Sequence, residues 1–233
     1  MFGQMISFFI PIRKNSKRIK NKNIKKIGRN KFGLTEIKLK QILKFIKLRS
    51  IDKVLKKEKF EFVISSDDQR VLNYVRKFDG IKVHKRSSKL STDDSLDKLI
   101  KLVPKICNGN YILWTHVTSP FFNEMSYVKF IKKFLNKKRQ FKSAFTANHI
   151  KTFIYNYDKK KWISHNYLKK KWPRTQDLDK IYAVNSAAFI AERNVYNKYQ
   201  DRIDKRPLPI HISSRESFDV DDIDDFNKLT RAK

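Results

Sequence analysis

The sequence predicts an α/β domain: a mostly parallel sheet flanked by helices. Two observations carry this. Short apolar runs alternate with longer segments of helical period, as βα units that share one sheet do. The length, 233 residues, suits one sizeable domain with a real core, or at most two small ones. One domain covering the whole chain, residues 1–233, is the expectation.

In chain order, Ile6–Ile12 is the first apolar run and the first expected strand. Leu34, Ile37, Gln41, Ile42, Phe45, Ile46 and Leu48 then recur at helical spacing. A second strand is expected at Phe60–Ser65, followed by a helix marked by Val71, Leu72, Val75 and Phe78. Lys82–His84 is a short third strand. Leu96, Leu99, Ile100 and Val103 mark a third helix, which Pro104 is expected to end or bend. Tyr111–Thr115, the helix Tyr127–Leu135, and strands at Ser143–Ala147 and Ala187–Ala191 complete the pattern. Residues 148–182 break it. The stretch from His149 to Lys171 is rich in Tyr, Trp and Lys without βα alternation, and reads as an inserted arm or hairpin. Its aromatics either pack locally or serve a subunit interface. The acidic tail Phe218–Ala232 resembles a strand end leading into a short helix.

The formal net charge is +31 and the isoelectric point is near 10.2. Such an excess points first to an anionic partner: nucleic acid, acidic lipid or a phosphorylated substrate. However, the charge comes mostly from Lys spread along the chain among Ile, Asn and Phe, the residues an A/T-rich genome over-supplies. A dedicated nucleic-acid binder would cluster it on one face or tail. The single Cys107 excludes an internal disulfide framework and cannot by itself build a thiolate metal site. No positive region precedes the first short apolar run, and no stretch approaches the ~20 apolar residues that span a bilayer, so a soluble cytoplasmic protein is expected.

In an open α/β sheet, ligands bind beyond the carboxyl ends of the strands, so the loop after the first strand is the place to look for a site. Here it reads "PIRKNSKRIKNKN", Pro11 to Asn23. Backbone N–H groups and basic side chains in such a loop can surround polyphosphate oxygens. The loop lacks the glycines of a dinucleotide fingerprint or a P-loop. Asp219 and Asp221, two apart in a strand-like run, would point to the same face and could present oxygens to a divalent cation. Asp222, Asp224 and Asp225 better suit a helix start, where the dipole favours acids.

Arg13-x-x-Ser16-Lys17, followed by Lys22-Asn23, resembles the signature of the CMP-sialic acid synthetases, the acylneuraminate cytidylyltransferases. Further segments follow in the family's order: Asp67-Asp68 after "FVISS", "HKRSSKLSTDDS" from His84, "THVTSP" from Thr115, "PRTQDLDKIYAVNSAAFIAE" from Pro173, and "SFDVDDIDD" from Ser217. The resemblance runs from about Ile6 to Phe226. It implies a Rossmann-like core of the nucleotide-diphospho-sugar transferase type with a dimerisation arm. The implied reaction moves CMP from CTP to the anomeric hydroxyl of an acidic nine-carbon sugar, with Mg²⁺.

By resemblance, Arg13, Asn15, Ser16 and Lys17 would meet the phosphates, with Lys22 near the β/γ-phosphates and Asn23 by the cytosine or ribose. Arg86 and Ser95 are candidates for the base and ribose pocket, or else a surface arginine and a helix cap. Asp219 and Asp221 would hold the metal. Thr118 and Ser119 would face the sugar, unless Thr-Ser-Pro is only a turn that opens a helix. His116 stands where the family has glutamine, and an imidazole cannot pair donor and acceptor as an amide does. Asn185 matches a sugar-site asparagine. Phe189 stands where tyrosine is common and reads best as strand packing. Lys151 and Arg174 match cations that reach the sugar carboxylate from a partner subunit. The remaining histidines show no metal spacing.

Overall fold

The computed structural model describes residues 3–14, 16–92 and 95–231. The expectation for Asn15, and those touching Asp93-Asp94 and Ala232, lie outside the described residues. A seven-stranded sheet runs β3 (Ile81–Lys85), β2 (Lys59–Ser66), β1 (Met5–Ile12), β4 (Tyr111–Thr115), β8 (Ile181–Glu192), β5 (Ser143–Ile150), β9 (Leu208–His211). Neighbours β3, β2, β1 and β4 are all parallel; β8 alone runs antiparallel to its neighbours, and β5 and β9 are parallel to each other. The expected α/β class and mostly parallel sheet are observed.

Side chains alternate across β1, and each face of the sheet gathers its own core. Ile6, Phe8, Ile10 and Ile12 pack with residues of α1 (Gly33–Ile51), α2 (Gln69–Val75), α4 (Glu124–Lys137) and α6 (Ile223–Arg231). Phe9 packs on the other side with Trp114 and Phe189, under α3 (Leu96–Ile106) and α5 (Arg193–Tyr199). Phe8 touches Phe45, Phe62 and Tyr127 with ring centroids 5.0–5.2 Å apart. Burying one such ring contributes roughly 1.5–3 kcal/mol.

Three local features differ from the sequence reading. Pro104 does not end its helix: α3 continues to Ile106, and the Cys107 N–H still bonds the Val103 carbonyl at 3.0 Å. Arg193 donates to the carbonyls of Pro104 and Cys107, satisfying that helix end from outside. The edge strand β9 was not foreseen, because "LPIH" is short and contains a proline; an edge tolerates the missing donor. Residues 218–221 form a loop rather than a strand end, with the Val220 N–H bonded to the Thr118 carbonyl at 2.8 Å.

Gly33 opens α1 with φ +52°, where a Cβ would lie 2.1 Å from the Lys25 carbonyl oxygen, so only glycine fits this turn. The arm leaves the sheet at Ile150 and returns at Ile181, which face each other in register. Within it, β6 (Tyr155–Asn156) and β7 (Lys161–Trp162) form a small hairpin. Phe153, Trp162, His165 and Trp172 pack on one another with centroids 5.2–6.3 Å apart. Tyr157 and Leu168 stay exposed.

Candidate active site

At the carboxyl ends of β1 and β4 the basic loop, residues 86–92 with 95–96, and the 218–221 loop enclose a cleft of about 330 Å³. It is lined by Arg13, Lys22, Asn23, Arg86, Ser95, His116, Thr118, Asp219 and Asp221, each expected from sequence, together with Ser186 and neighbouring residues.

The basic loop is folded by its own asparagine. Asn23 Nδ2 donates to the Arg13 carbonyl at 2.9 Å, joining the loop's two ends, while the Asn23 carbonyl accepts from the backbone N–H and hydroxyl of Thr35 on α1. Lys14 N–H donates to Asp67 Oδ1 at 2.8 Å, and Ile19 is buried beneath. The Nδ2 bond fixes the amide's orientation, leaving Asn23 Oδ1 as a buried acceptor without a partner among the described residues. A buried acceptor left unpaired costs about 1–3 kcal/mol, which a ligand N–H donor would recover.

Two buried cations face this cleft. Arg86 is 4% exposed, so it is no surface arginine. Its Nε donates to Ser91 Oγ at 3.1 Å, and its nearest carboxylate, Asp67, is 3.9 Å away. Burial, and then Arg13, work against its charge, and Asp67 supports it. Such a sheltered, weakly paired guanidinium is suited to an anion. Lys22 is 8% exposed and donates from Nζ to the Val220 carbonyl at 2.6 Å, with Asp221 Oδ1 at 3.9 Å. Burial lowers its pKa, and the carboxylates of Asp221 and Asp219 act in the opposite sense.

Asp219 is pushed above the usual carboxylate range by burial, with Asp221 adding repulsion; the hydroxyls of Thr118 and Ser119 and the charge of Lys22 oppose the shift. Ser119 Oγ donates to Asp219 Oδ1 at 3.3 Å. Asp221 is more exposed and also meets Arg18 at 3.3 Å. Asp222 and Asp225 are occupied at the helix start, with the Asp225 N–H on Asp222 Oδ1 at 3.0 Å. No group of three or more His, Cys, Asp or Glu able to hold a metal occurs among the described residues. A pair of carboxylates still fits Mg²⁺, which keeps several waters and uses one or two carboxylates plus substrate phosphates.

His116 takes its state from Trp114, two residues earlier on the same face. The indole N–H is a donor only, and it lies 2.9 Å from His116 Nε2, so Nε2 must be the acceptor and the ring proton sits on Nδ1. Burial, followed by the charges of Arg202, Lys38 and Lys22, lowers the imidazole to about 3. His116 is therefore a neutral Nδ1–H donor through the physiological range. In a histidine NMR titration its ring shifts are expected to stay flat from about pH 5 to 8; a midpoint near 6.5 would contradict the half-buried, indole-bonded ring.

The other expected residues are distributed around the cleft. Ser119 is buried, its hydroxyl turned to Asp219, and Ser16 and Lys17 lie on the loop outside the lining. Ser95 lines the cleft but does not cap α3; its hydroxyl donates to the Thr92 carbonyl at 2.7 Å. Asn185 sits in the irregular stretch of β8 between the rungs Ala147–Val184 and Phe145–Phe189, accepting from Thr146 Oγ1 and donating to Asn148 Oδ1. Its role there is to hold β8 to β5, and the adjacent Ser186 reaches the cleft. Phe189 is 3% exposed and packs in the core, as its strand reading implied. Lys151 and Arg174 are exposed on the arm, Arg174 paired with Asp177 at 2.8 Å. Cys107 is fully buried, its thiol pushed up to about 12 by burial. Sequence reasoning missed the indole that orients His116, although i, i+2 spacing on a strand was available to find it.

No helix among the described residues is long and apolar enough to cross a membrane. No curated protein matches the sequence. Among solved structures, a CMP:2-keto-3-deoxy-manno-octonic acid synthetase complexed with CTP superposes with TM-score 0.61 at 14% identity, over 97% of each chain. A 4-diphosphocytidyl-2C-methyl-D-erythritol synthase from Anaerococcus prevotii gives TM-score 0.61 at 16% identity, over 99% of this chain and 98% of that one. A cytidylyltransferase from Leptospira borgpetersenii gives 0.55 at 12%, covering 97% and 84%. These likenesses show the nucleotidyltransferase-like Rossmann-type fold. The cytidylyltransferase family matches residues 7–206, most of the chain and nearly every element that builds the cleft, and this protein belongs to that family.

Proposed function

We propose that this cytidylyltransferase transfers CMP from CTP to the anomeric hydroxyl of N-acetylneuraminate or a related nonulosonic acid. The sugar hydroxyl oxygen bonds to the α-phosphorus and gives its proton to a phosphate oxygen, the bond from that phosphorus to the β-phosphate oxygen breaks, and pyrophosphate leaves with the electron pair. The observation that carries this is the convergence in one cleft of two buried cations, Arg86 and Lys22, with the Asp219–Asp221 pair and the unpaired Asn23 Oδ1. The cations match a triphosphate. The amide oxygen matches the exocyclic N–H of cytosine, which uracil lacks. Arg13 at the loop's start adds a fork for phosphate oxygens.

Asp219 and Asp221 would hold Mg²⁺, which supplies neutralisation of the charge that develops on the phosphates. His116, through its Nδ1–H, offers a donor to the sugar, and Thr118 lines the cleft beside it. A homodimer would bring Lys151 and Arg174 of one copy toward the cleft of the other, as the resemblance to the sialic acid synthetases implies, and the exposed Tyr157 and Leu168 of the arm suit such an interface.

The test is pyrophosphate release from each of the four ribonucleoside triphosphates with Mg²⁺, offered N-acetylneuraminate, legionaminate, pseudaminate or 3-deoxy-octulosonate. Release with CTP and one nine-carbon acid is expected. Release only with 3-deoxy-octulosonate keeps the chemistry and changes the sugar. No release, together with oligonucleotide binding that persists at physiological salt, would replace this reading with a nucleic-acid-binding one.

A further inference from the structure

Beside the nucleotide cleft lies a second cavity of about 590 Å³, bounded by α3, β8 and the segment after α5. Leu96 borders both spaces. Arg202 lines the second one, its guanidinium 3.9 Å from the Phe189 ring centroid and 5.2 Å from that of Trp114. Trp114 in turn lines the cleft and bonds His116. The two cavities thus share a wall made of Leu96, the indole and the guanidinium stacked beside it.

Arg202 is unusual among the cations here. Among the described residues its guanidinium has no hydrogen-bond acceptor and no carboxylate at ion-pair distance; only its backbone N–H is bonded, to Asp201 Oδ1. The side chain is half-buried; burial depresses its pKa, while Tyr196 and then Asp201, which lines the same cavity, act in the opposite sense. Two aromatic faces supply cation–π attraction but leave the five N–H donors unmet. A half-buried fork that lacks an acceptor and opens on a cavity next to a reaction cleft is matched to a planar anion.

We infer that this cavity is the acceptor subsite and that Arg202 receives the acceptor's anionic group, the carboxylate in the case of a sugar acid. The inference rests on the cytidylyltransferase reading above. It assigns the carboxylate to a cation of the same chain and leaves the arm's Lys151 and Arg174 to attract the acceptor rather than grip it. Phe189 then acts through Arg202, as the flat surface that holds the fork in plane.

The experiment compares wild type with Arg202→Met, which keeps an unbranched side chain over Phe189 while removing the charge, and with Val184→Trp. Val184 is 56% exposed on the cavity wall, so a larger side chain there blocks the space without entering the core. Each enzyme is assayed with the accepted sugar acid and with its methyl ester. Both variants are expected to raise the KM for the acid about 10- to 100-fold with the KM for CTP unchanged. Wild type should favour the acid over the ester, and Arg202→Met should lose that preference. CTP-induced thermal protection, read separately, reports whether each variant is folded. An unchanged KM for the acid in both variants overturns the inference and leaves the enzyme's class intact. Absence of CTP turnover by wild type with every acceptor removes the reading and the inference together. A wild type that turns over a phosphorylated acceptor and ignores the carboxylate form overturns the assignment to a sugar acid.

Discussion

Replacing Asp219 with asparagine is expected to lower kcat/KM for CTP by about 10²–10³-fold while leaving thermal stability equal to wild type or higher. The loss is the size expected when one preorganised electrostatic contact to the reacting phosphates is removed. The stability expectation follows from the sign of the pKa shift. Burial and Asp221 raise the carboxyl of Asp219 in the folded state above its ordinary value of 3.8. A group so raised adds its stability at pH values below the unfolded pKa and loses it as pH rises through the folded one. Above that window the ionised Asp219 weakens the fold, and a neutral isostere removes the repulsion. Asparagine retains an oxygen for the Ser119 hydroxyl, so the change is one of charge. Steady-state kinetics across a Mg²⁺ series, paired with thermal denaturation at pH 7, checks both halves; full activity in the variant would remove Asp219 from the reaction.

Lys38→Met is expected to give the largest loss of stability. The side chain is 1% exposed, and its Nζ donates to the carbonyls of Ser119 and Phe122 and to the Tyr127 hydroxyl at 2.9–3.0 Å. These bonds pin the turn that carries Thr118 and Ser119 to α1 and α4. Methionine fills the space but leaves the two carbonyls and the phenol hydroxyl short of a donor. The cost is about 3 kcal/mol at charge-assisted hydrogen bonds, which lowers Tm by roughly 6–12 °C for a chain of this size. Differential scanning calorimetry reads it directly; a Tm within 2 °C of wild type would show that the turn holds without the ammonium.

The central parallel strands were legible because they are buried on both faces and read as nearly continuous apolar runs, as at Ile6–Ile12. Antiparallel β8 was half legible. Ala187–Ala191 is apolar and was found, whereas the stretch from Ile181 to Ser186 is largely exposed, irregular against β5, and gives no alternation to detect. The cleft residues came from motif order, and nine of them do converge. What motifs could not convey is which partner each side chain takes. Ser119 turns to Asp219, and Asn185 spends its amide on β5. Arg202 was invisible because "QDRIDKR" has the composition of a solvated loop, and only tertiary packing against Phe189 and Trp114 distinguishes it from the many exposed cations around it.

The rung formed by Ile150 and Ile181 determines how the arm relates to the rest of the molecule. Because the excursion begins and ends at facing positions, extra flexible residues in it enter the free energy of the fold through loop closure, which grows as the logarithm of the number of residues. Doubling the arm by a flexible insertion would cost about 0.6 kcal/mol, provided the Phe153, Trp162, His165 and Trp172 cluster is kept. Such a change asks no strand to shift register. The arm can therefore gain, lose or exchange segments without moving the strands that build the cleft, so the part of the chain best suited to diverge is also the part that leaves Tyr157 and Leu168 exposed.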